Sequence, residues 1–269
     1  MPDISPLAVV HPNASIGEGA TVGPFCTLGE HVVIGQRTHL KSHVVIEGHT
    51  TLGDDCVVYP FVTLGIDSQD LKHDQNNLSY TRIGDRNMIR EFVSVHSGTE
   101  HDSVTSIGND CALLAHAHVA HNCTVGNHDV MSHSATLGGH VEVGDYANIG
   151  GLSAVHQFCR IGQVAMVAGM ARVVQDVLPF TIAEGFPAHM RVVNKIGLER
   201  AGFSSSEIKE IRRAFRTLFT KDLRLEDALA AIAPEAKESP HVQCMLDAIA
   251  ASKRGLARPD SATFAINVS

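Results

Sequence analysis

Aliphatic residues recur every six positions along most of this chain, and no other feature restricts its fold as strongly. The first run is Ile4, Val10, Ile16, Val22, Leu28, Ile34, Leu40, Ile46, Leu52, Val58 and Leu64. After a break the phase resumes with Ile83, Ile89 and Val95. After a second it runs from Ile107 through Leu113, Val119, Val125, Met131, Leu137, Val143, Ile149, Val155, Ile161 and Val167 to Val173. An amphipathic helix repeats at about 3.6 and a half-buried strand at about 2, and neither generates sixes over such a length. The position after the aliphatic is often Gly, as at Gly17, Gly35, Gly84, Gly126 and Gly144. Glycine there reads as a sharp bend between short strands. Two positions before the aliphatic the residue is small, as at Ala14, Thr38, Ala117, Ala135 and Ala165. Strand alternation then turns both positions inward.

The pattern resembles the hexapeptide-repeat proteins, which implies an all-β solenoid plus α: a left-handed parallel β-helix with a C-terminal α-helical domain. The general crossover rule favours a right hand; the left hand comes from the resemblance. Three hexads make one triangular coil of about 18 residues, so residues 18 apart stack about 4.8 Å apart. We expect the β-helix over residues 1–190, with loop insertions near 65–82 and 98–106, and a helical domain and tail over 191–269. Ser204 and Glu207 form a capping box ahead of Ile208, Ile211, Phe215, Leu218 and Phe219 on one face. A second short helix is expected from Leu225 to Ala233, stopped by Pro234. A third starts at Ser239-Pro240, and about the last dozen residues read as a frayed tail.

The repeat also places the cysteines. Cys26, Cys56, Cys111, Cys123 and Cys159 all occupy the small inward slot, where a free thiol behaves as a compact apolar residue rather than a nucleophile or ligand. The absence of Trp, with only 3 Tyr and 10 Phe, fits a thin, regular core. A net charge of −8 leaves no excess of cations to neutralise nucleic-acid phosphates. No apolar run is long enough to span a membrane, and the N-terminus has neither a basic region nor an apolar one to serve as a secretory signal. Six scattered Cys without a CxxC pair point to a reducing, cytoplasmic setting.

Histidine is abundant, at 17 residues. Ala117 and Val119 take inward slots, so His116, His118 and His121 project outward. Stacking by 18 lays Gly139 over His121, His140 over Asn122 and His156 over Gly138. His118, His121, His140 and His156 therefore gather along one edge. Two chemistries suit them. Three neutral imidazoles with a water would hold zinc, as in the γ-class carbonic anhydrases. Alternatively one imidazole takes a proton from a hydroxyl that attacks a thioester, and a backbone N–H holds the oxyanion. Gly139 presents such an N–H with no side chain in the way.

Several stretches resemble the UDP-N-acetylglucosamine O-acyltransferases of lipid A biosynthesis: LKSHVVIEGHT (40–50), SQDLK (68–72), IGDRNMIREFVSVHSGT (83–99), AHVAHNCTVGN (117–127) and IGGLSAVHQFCRIG (149–162), with NKIGLERAGFS (194–204) a looser match. The resemblance implies a homotrimer with sites between neighbouring β-helices, using UDP-N-acetylglucosamine and acyl carrier protein that carries a 3-hydroxyacyl phosphopantetheine. It implies no cofactor and no metal. His121 would be the general base for the glucosamine 3-hydroxyl and Gly139 the oxyanion donor. Gln69, Asp70, Lys72, His96, His118, His140, His156, Gln157, Asn194 and Arg200 would bind the substrates. Met166 and Gly169 would line the acyl-chain pocket, with Gly169 leaving room for a long chain.

Three positions depart from the family pattern. Asn122 follows the base where Asp is usual, Ile196 replaces a Glu, and Ala201 replaces a second Arg. A neutral Asn122 orients an imidazole without stabilising its cation, so an altered pH profile is expected. The other two leave a 3-amino analogue open as acceptor. The related N-acyltransferases place a globular domain before the helix, whereas here the hexads begin at Ile4. A trimeric scaffold without activity is the non-enzymatic alternative.

Overall fold

The computed structural model describes residues 1–219 and 223–259. Twenty-six short strands wind into three parallel faces of a left-handed β-helix. The faces form sheets of 11, 9 and 8 strands, the first of which includes a closing hairpin. Pairing advances by one coil of 18, as in Asp3 with Thr21 and His118 with Thr136. The two interruptions lengthen single coils: Val57 pairs with Met88 and Ile83 with Ile107, 31 and 24 positions on.

The repeat aliphatics and the small residues two places earlier fill the core, with Leu52, Leu64, Leu113, Ala117 and Val119 wholly inaccessible. The first three aliphatics are less covered, and Ile4 is 40% exposed, because no coil packs beneath them. The five inward cysteines are buried and free. Burial pushes the thiols of Cys56 and Cys159 up to about 11 and those of Cys111 and Cys123 up to about 12. These thiols stay protonated and inert.

The reading of the recurrent glycines as bends needs correction. At most corners the left-handed residue lies three places after the aliphatic and is not glycine, as at Phe25 (φ 60°), Arg37 (55°), His116 (61°) and Asn122 (59°), with Gly19 (72°) an exception. The glycine directly after the aliphatic serves close stacking. A Cβ on Gly35 would lie 2.3 Å from the Gly53 carbonyl carbon, and one on Gly17 2.6 Å from that of Gly35.

After Val173 the chain does not pass directly to helices. Thr181–Gly185 pairs with the strand Met166–Val167, and Ala188–Val193 then adds antiparallel to it, closing the largest sheet. Among the described residues four helices follow: α1 (Lys195–Arg200), α2 (Ser205–Phe219), α3 (Leu225–Ala236) and α4 (Pro240–Ala251). The capping box forms, with Ser204 N–H donating to Glu207 Oε2 at 2.6 Å and Glu207 N–H to Ser204 Oγ at 3.3 Å. α3 runs two residues past Pro234, a proline in the last turn removing only one late backbone donor. Residues 260–269 of the expected tail lie outside the described residues.

One inward position carries a charge problem. Asp129 is buried, which pushes its carboxyl up to about 8, and its Oδ2 has no partner. Two coils below in the same column, Asn87 donates to the Gly84 and Gly108 carbonyls at 2.9 and 2.8 Å and accepts from Cys111 N–H at 2.7 Å. Asp129→Asn is therefore expected to stabilise the fold at pH 7.5 by about 1–3 kcal/mol. The wild-type carboxyl is protonated when folded and ionised when unfolded. Its stability is complete below the unfolded value of 3.8 and declines as pH rises toward about 8. The advantage of the variant should thus vanish near pH 4, which paired thermal melts at the two pH values will check.

Candidate active site

The strand His118–Val119 belongs to the nine-stranded face and Thr124–Val125 to the eight-stranded face. His121 and Asn122 form the corner between them. Both interruptions leave the β-helix at this same corner. The first departs from Thr63–Ile66 and returns at Tyr80–Ile83; the second departs from Ser94–His96 and returns at Val104–Ile107. The two loops thereby wall the coil edge that carries His121. They are tied together, since Thr99 Oγ1 donates to Ser68 Oγ at 2.5 Å and Asp70 N–H to the same oxygen at 3.1 Å. Asp70 Oδ1 accepts the Lys72 N–H at 2.9 Å, which sets the turn holding both side chains.

The hydrogen bonds assign the protons of His121. Its Nδ1 lies 2.9 Å from Asn122 Oδ1, which also accepts the Thr99 N–H at 3.1 Å. An amide oxygen only accepts, so Nδ1 carries the hydrogen and Nε2 holds the lone pair. Nε2 faces Gly139, where an added Cβ would sit 2.5 Å from it. Gly139 is buried, and among the described residues its N–H has no acceptor. A buried amide left unpaired is costly and rare, and this glycine packs against the His121 ring.

The neighbouring imidazoles are held toward their neutral forms. His96 is 4% exposed, with Nδ1 unpartnered, and burial pulls it down to about 4. Burial also lowers His118, whose Nδ1 lies 2.7 Å from Ser94 Oγ. Burial lowers His140 too; it meets His121 edge-on at 5.1 Å and stacks on Phe158 at 4.6 Å. Neutral rings at these positions add no positive charge beside His121.

Of the residues expected at the site, Gln69, Asp70, Lys72, His96, His118, His121 and Gln157 line one open groove. His140 borders it through His121, and His156 is exposed next to Gln157, whose carbonyl lies 3.0 Å from His156 Nδ1. The structure adds Leu71 and Ala120 as lining residues, and Ser68, Ser94, Thr99 and Glu100 as their supports. Pairing of these supports depends on how two irregular loops fold, and no repeat encodes that. The single chain does not bring the remaining four into this groove. Asn194 is buried, caps α1 by accepting the Gly197 N–H at 3.0 Å, and donates to the Val164 carbonyl at 2.8 Å. Arg200 is exposed at the end of α1, while Met166 and Gly169 flank a different corner, three coils on. Among the described residues no three His, Cys, Asp or Glu side chains are disposed to hold a metal ion.

Comparison with known proteins gives a consistent set of relatives. Residues 176–257 match the family described as Udp N-acetylglucosamine O-acyltransferase, domain 2, and residues 31–65 match the bacterial transferase hexapeptide repeats. An acyl-[acyl-carrier-protein]–UDP-N-acetylglucosamine O-acyltransferase of Akkermansia muciniphila is 53% identical over 230 residues, covering 85% of this chain and 88% of that protein. One from Gloeothece citriformis is 41% identical over 179 residues; the match covers 66% of this chain and 64% of its relative, just under two thirds. The UDP-N-acetylglucosamine acyltransferase structure of Francisella novicida superposes with a TM-score of 0.93 at 35% identity, covering 97% of this chain and 96% of that one. A structure from Acinetobacter baumannii gives 0.90 at 35% identity, over 95% and 99%.

Proposed function

Since the chain belongs to the UDP-N-acetylglucosamine O-acyltransferase family, we propose that it moves a 3-hydroxyacyl group from acyl carrier protein to the 3-hydroxyl of UDP-N-acetylglucosamine. The observation that carries this reading is the close packing of the His121 Nε2 edge on Gly139, whose N–H has no acceptor among the described residues. His121 takes the hydroxyl proton as the sugar oxygen attacks the thioester carbon. The oxyanion of the tetrahedral intermediate accepts the Gly139 N–H. Collapse breaks the C–S bond, and the leaving sulfur receives the proton from His121. Lys72, on the groove wall, offers a cation to the diphosphate. The zinc alternative fits less well, because the Nε2 edge of His121 packs against Gly139.

A homotrimer accounts for Met166 and Gly169, which one chain leaves apart from the groove. The corner between the 11- and nine-stranded faces bears an exposed apolar ridge of Leu7, Phe25, Phe61, Phe92, Leu152 and Met170. Gly169 lies on this ridge. A neighbouring copy that covered it would bring Met166 and Gly169 toward the groove of His121. No described helix is long and apolar enough to cross a membrane. Six free cysteines, five of them buried, support the cytoplasmic setting in which acyl carrier protein is met.

The test is an assay of the wild-type protein with 3-hydroxyacyl carrier proteins of several chain lengths and two acceptors, UDP-N-acetylglucosamine and its 3-amino analogue. An ester product with the first acceptor is expected; an amide formed only with the second would reassign the acceptor. Absence of acyl transfer to both would overturn the reading in favour of a scaffold. A Cβ on Gly169 would meet only the Gly151 carbonyl oxygen, at 3.4 Å, so the backbone tolerates a larger side chain there. Gly169→Met is expected to shift the preference toward shorter donors by about tenfold or more, a few methylenes each contributing about 0.8 kcal/mol. Unchanged relative kcat/KM across donors would remove Gly169 from the acyl pocket.

A further inference from the structure

A base that takes a proton becomes a cation, and negative charge on the far side of its ring stabilises that cation. The group receiving the His121 Nδ1–H is a neutral amide, Asn122, at 2.9 Å. Behind the amide stands a carboxylate: Asn122 Nδ2 donates to Glu100 Oε2 at 2.7 Å. The orientation of the amide is set from outside. The Thr99 N–H donates to Asn122 Oδ1 at 3.1 Å, which leaves the NH2 end for Glu100. The Asn122 backbone is also fixed, with φ at 59° and its N–H donating to Thr105 Oγ1 at 2.8 Å. The result is a one-way chain of hydrogen bonds from ring to amide to carboxylate, in which each bond polarises the next.

We propose that Glu100 is a positioning residue for the base, and that it supplies through Asn122 the negative charge that Asn122 itself lacks. The proposal rests on the acyl-transfer reading above. It also gives the second interruption a role, since Glu100 lies within that loop at the corner it shares with His121. Glu100 Oε1 is 3.8 Å from Nε2 of His140, the ring that meets His121 edge-on, so one carboxylate faces two imidazoles. The other titratable groups facing the base are His96 and His118, with Asp70 and Lys72 on the groove wall. Burial keeps the three neighbouring histidines toward neutrality. The local field on His121 is then set by Glu100, Asp70 and Lys72, and of these only Glu100 is hydrogen-bonded into its chain.

Glu100→Gln removes the charge while leaving an oxygen to accept from Asn122. The Glu100 side chain is 59% exposed, so solvent and salt limit its reach. The expected change in the kcat/KM profile is a low-pH limb moved down by about half a unit and a plateau lowered roughly three- to tenfold. KM for the UDP-sugar should hold. The sign follows from the charge: without the anion the protonated imidazole is less stable, and the ring loses its proton at lower pH.

Relocating the charge separates this role from a structural one. In the wild-type background Asn122→Asp sets two carboxylates against each other where an amide donated at 2.7 Å, and activity should fall. In the Glu100→Gln background the same change places the carboxylate directly beside His121, with the glutamine NH2 donating to it, and the low-pH limb and plateau should recover. The gap between wild type and Glu100→Gln should also narrow at high salt. Two outcomes overturn the proposal while acyl transfer stands: Glu100→Gln with the profile of the wild type, or Asn122→Asp/Glu100→Gln no better than Glu100→Gln alone. A wild type that transfers no acyl group overturns the acyl-transfer reading and this proposal with it.

Discussion

His121→Ala should lower kcat by about 10²–10⁴, the range supplied by a positioned general acid–base group, with KM for both substrates nearly unchanged and the fold intact. The residue makes the corner of a coil, but Asn122 adopts the left-handed conformation there and Ala117 and Val119 fill the core. Removing a half-exposed imidazole therefore leaves the turn and the packing in place, and the melting temperature should move by no more than about two degrees. The contrast with the other histidines is equally specific. His96 is buried and held neutral, so His96→Ala should lower stability through a cavity and act on KM, without the large selective loss in kcat. Steady-state kinetics with both variants check this. A His121→Ala enzyme within threefold of the wild-type kcat would remove His121 from the reaction.

The second large effect is expected from Gly139→Ala, a single methyl group. Its Cβ would lie 2.5 Å from both Cε1 and Nε2 of His121, inside any tolerable contact. Gly139 has no positive φ to defend, so the backbone can accept alanine. What gives way is the free end of the imidazole, which must swing away from Gly139. A kcat lower by about 10²–10³ is expected, comparable with the loss of an oxyanion donor, together with a melt close to that of the wild type. The double variant sharpens the argument. Alanine at position 121 leaves nothing for the new methyl to strike, so His121→Ala/Gly139→Ala should be scarcely slower than His121→Ala alone. Losses that multiply instead would show that Gly139 acts independently of the His121 ring.

The stacking of His121 under Gly139 was legible because it follows from arithmetic. In a coil of 18, two positions 18 apart lie one above the other, as the pairing of His118 with Thr136 requires. The inward slots of the cysteines followed from the same count. Harder to read were the supports. Glu100, Thr99 and Ser68 lie in interruptions without a period, and their hydrogen bonds join residues 22 to 31 positions apart. The glycines after each aliphatic were visible, but their reason was not. Spacing alone does not distinguish a residue that must bend from one that must admit the backbone of the next coil.

Sequence alone determined the solenoid, the order of its coils and the direction of its repeat side chains. All of these follow from a short repeat that sorts apolar and small residues inward at every turn. The folded chain alone shows which nitrogen of His121 holds the lone pair, that both loops rise from one corner, and that a carboxylate stands behind the neutral Asn122. The physical reason is range. A hexad encodes contacts between a residue and its neighbours in adjacent coils, whereas the proton on His121 is placed by an amide whose orientation an irregular loop determines.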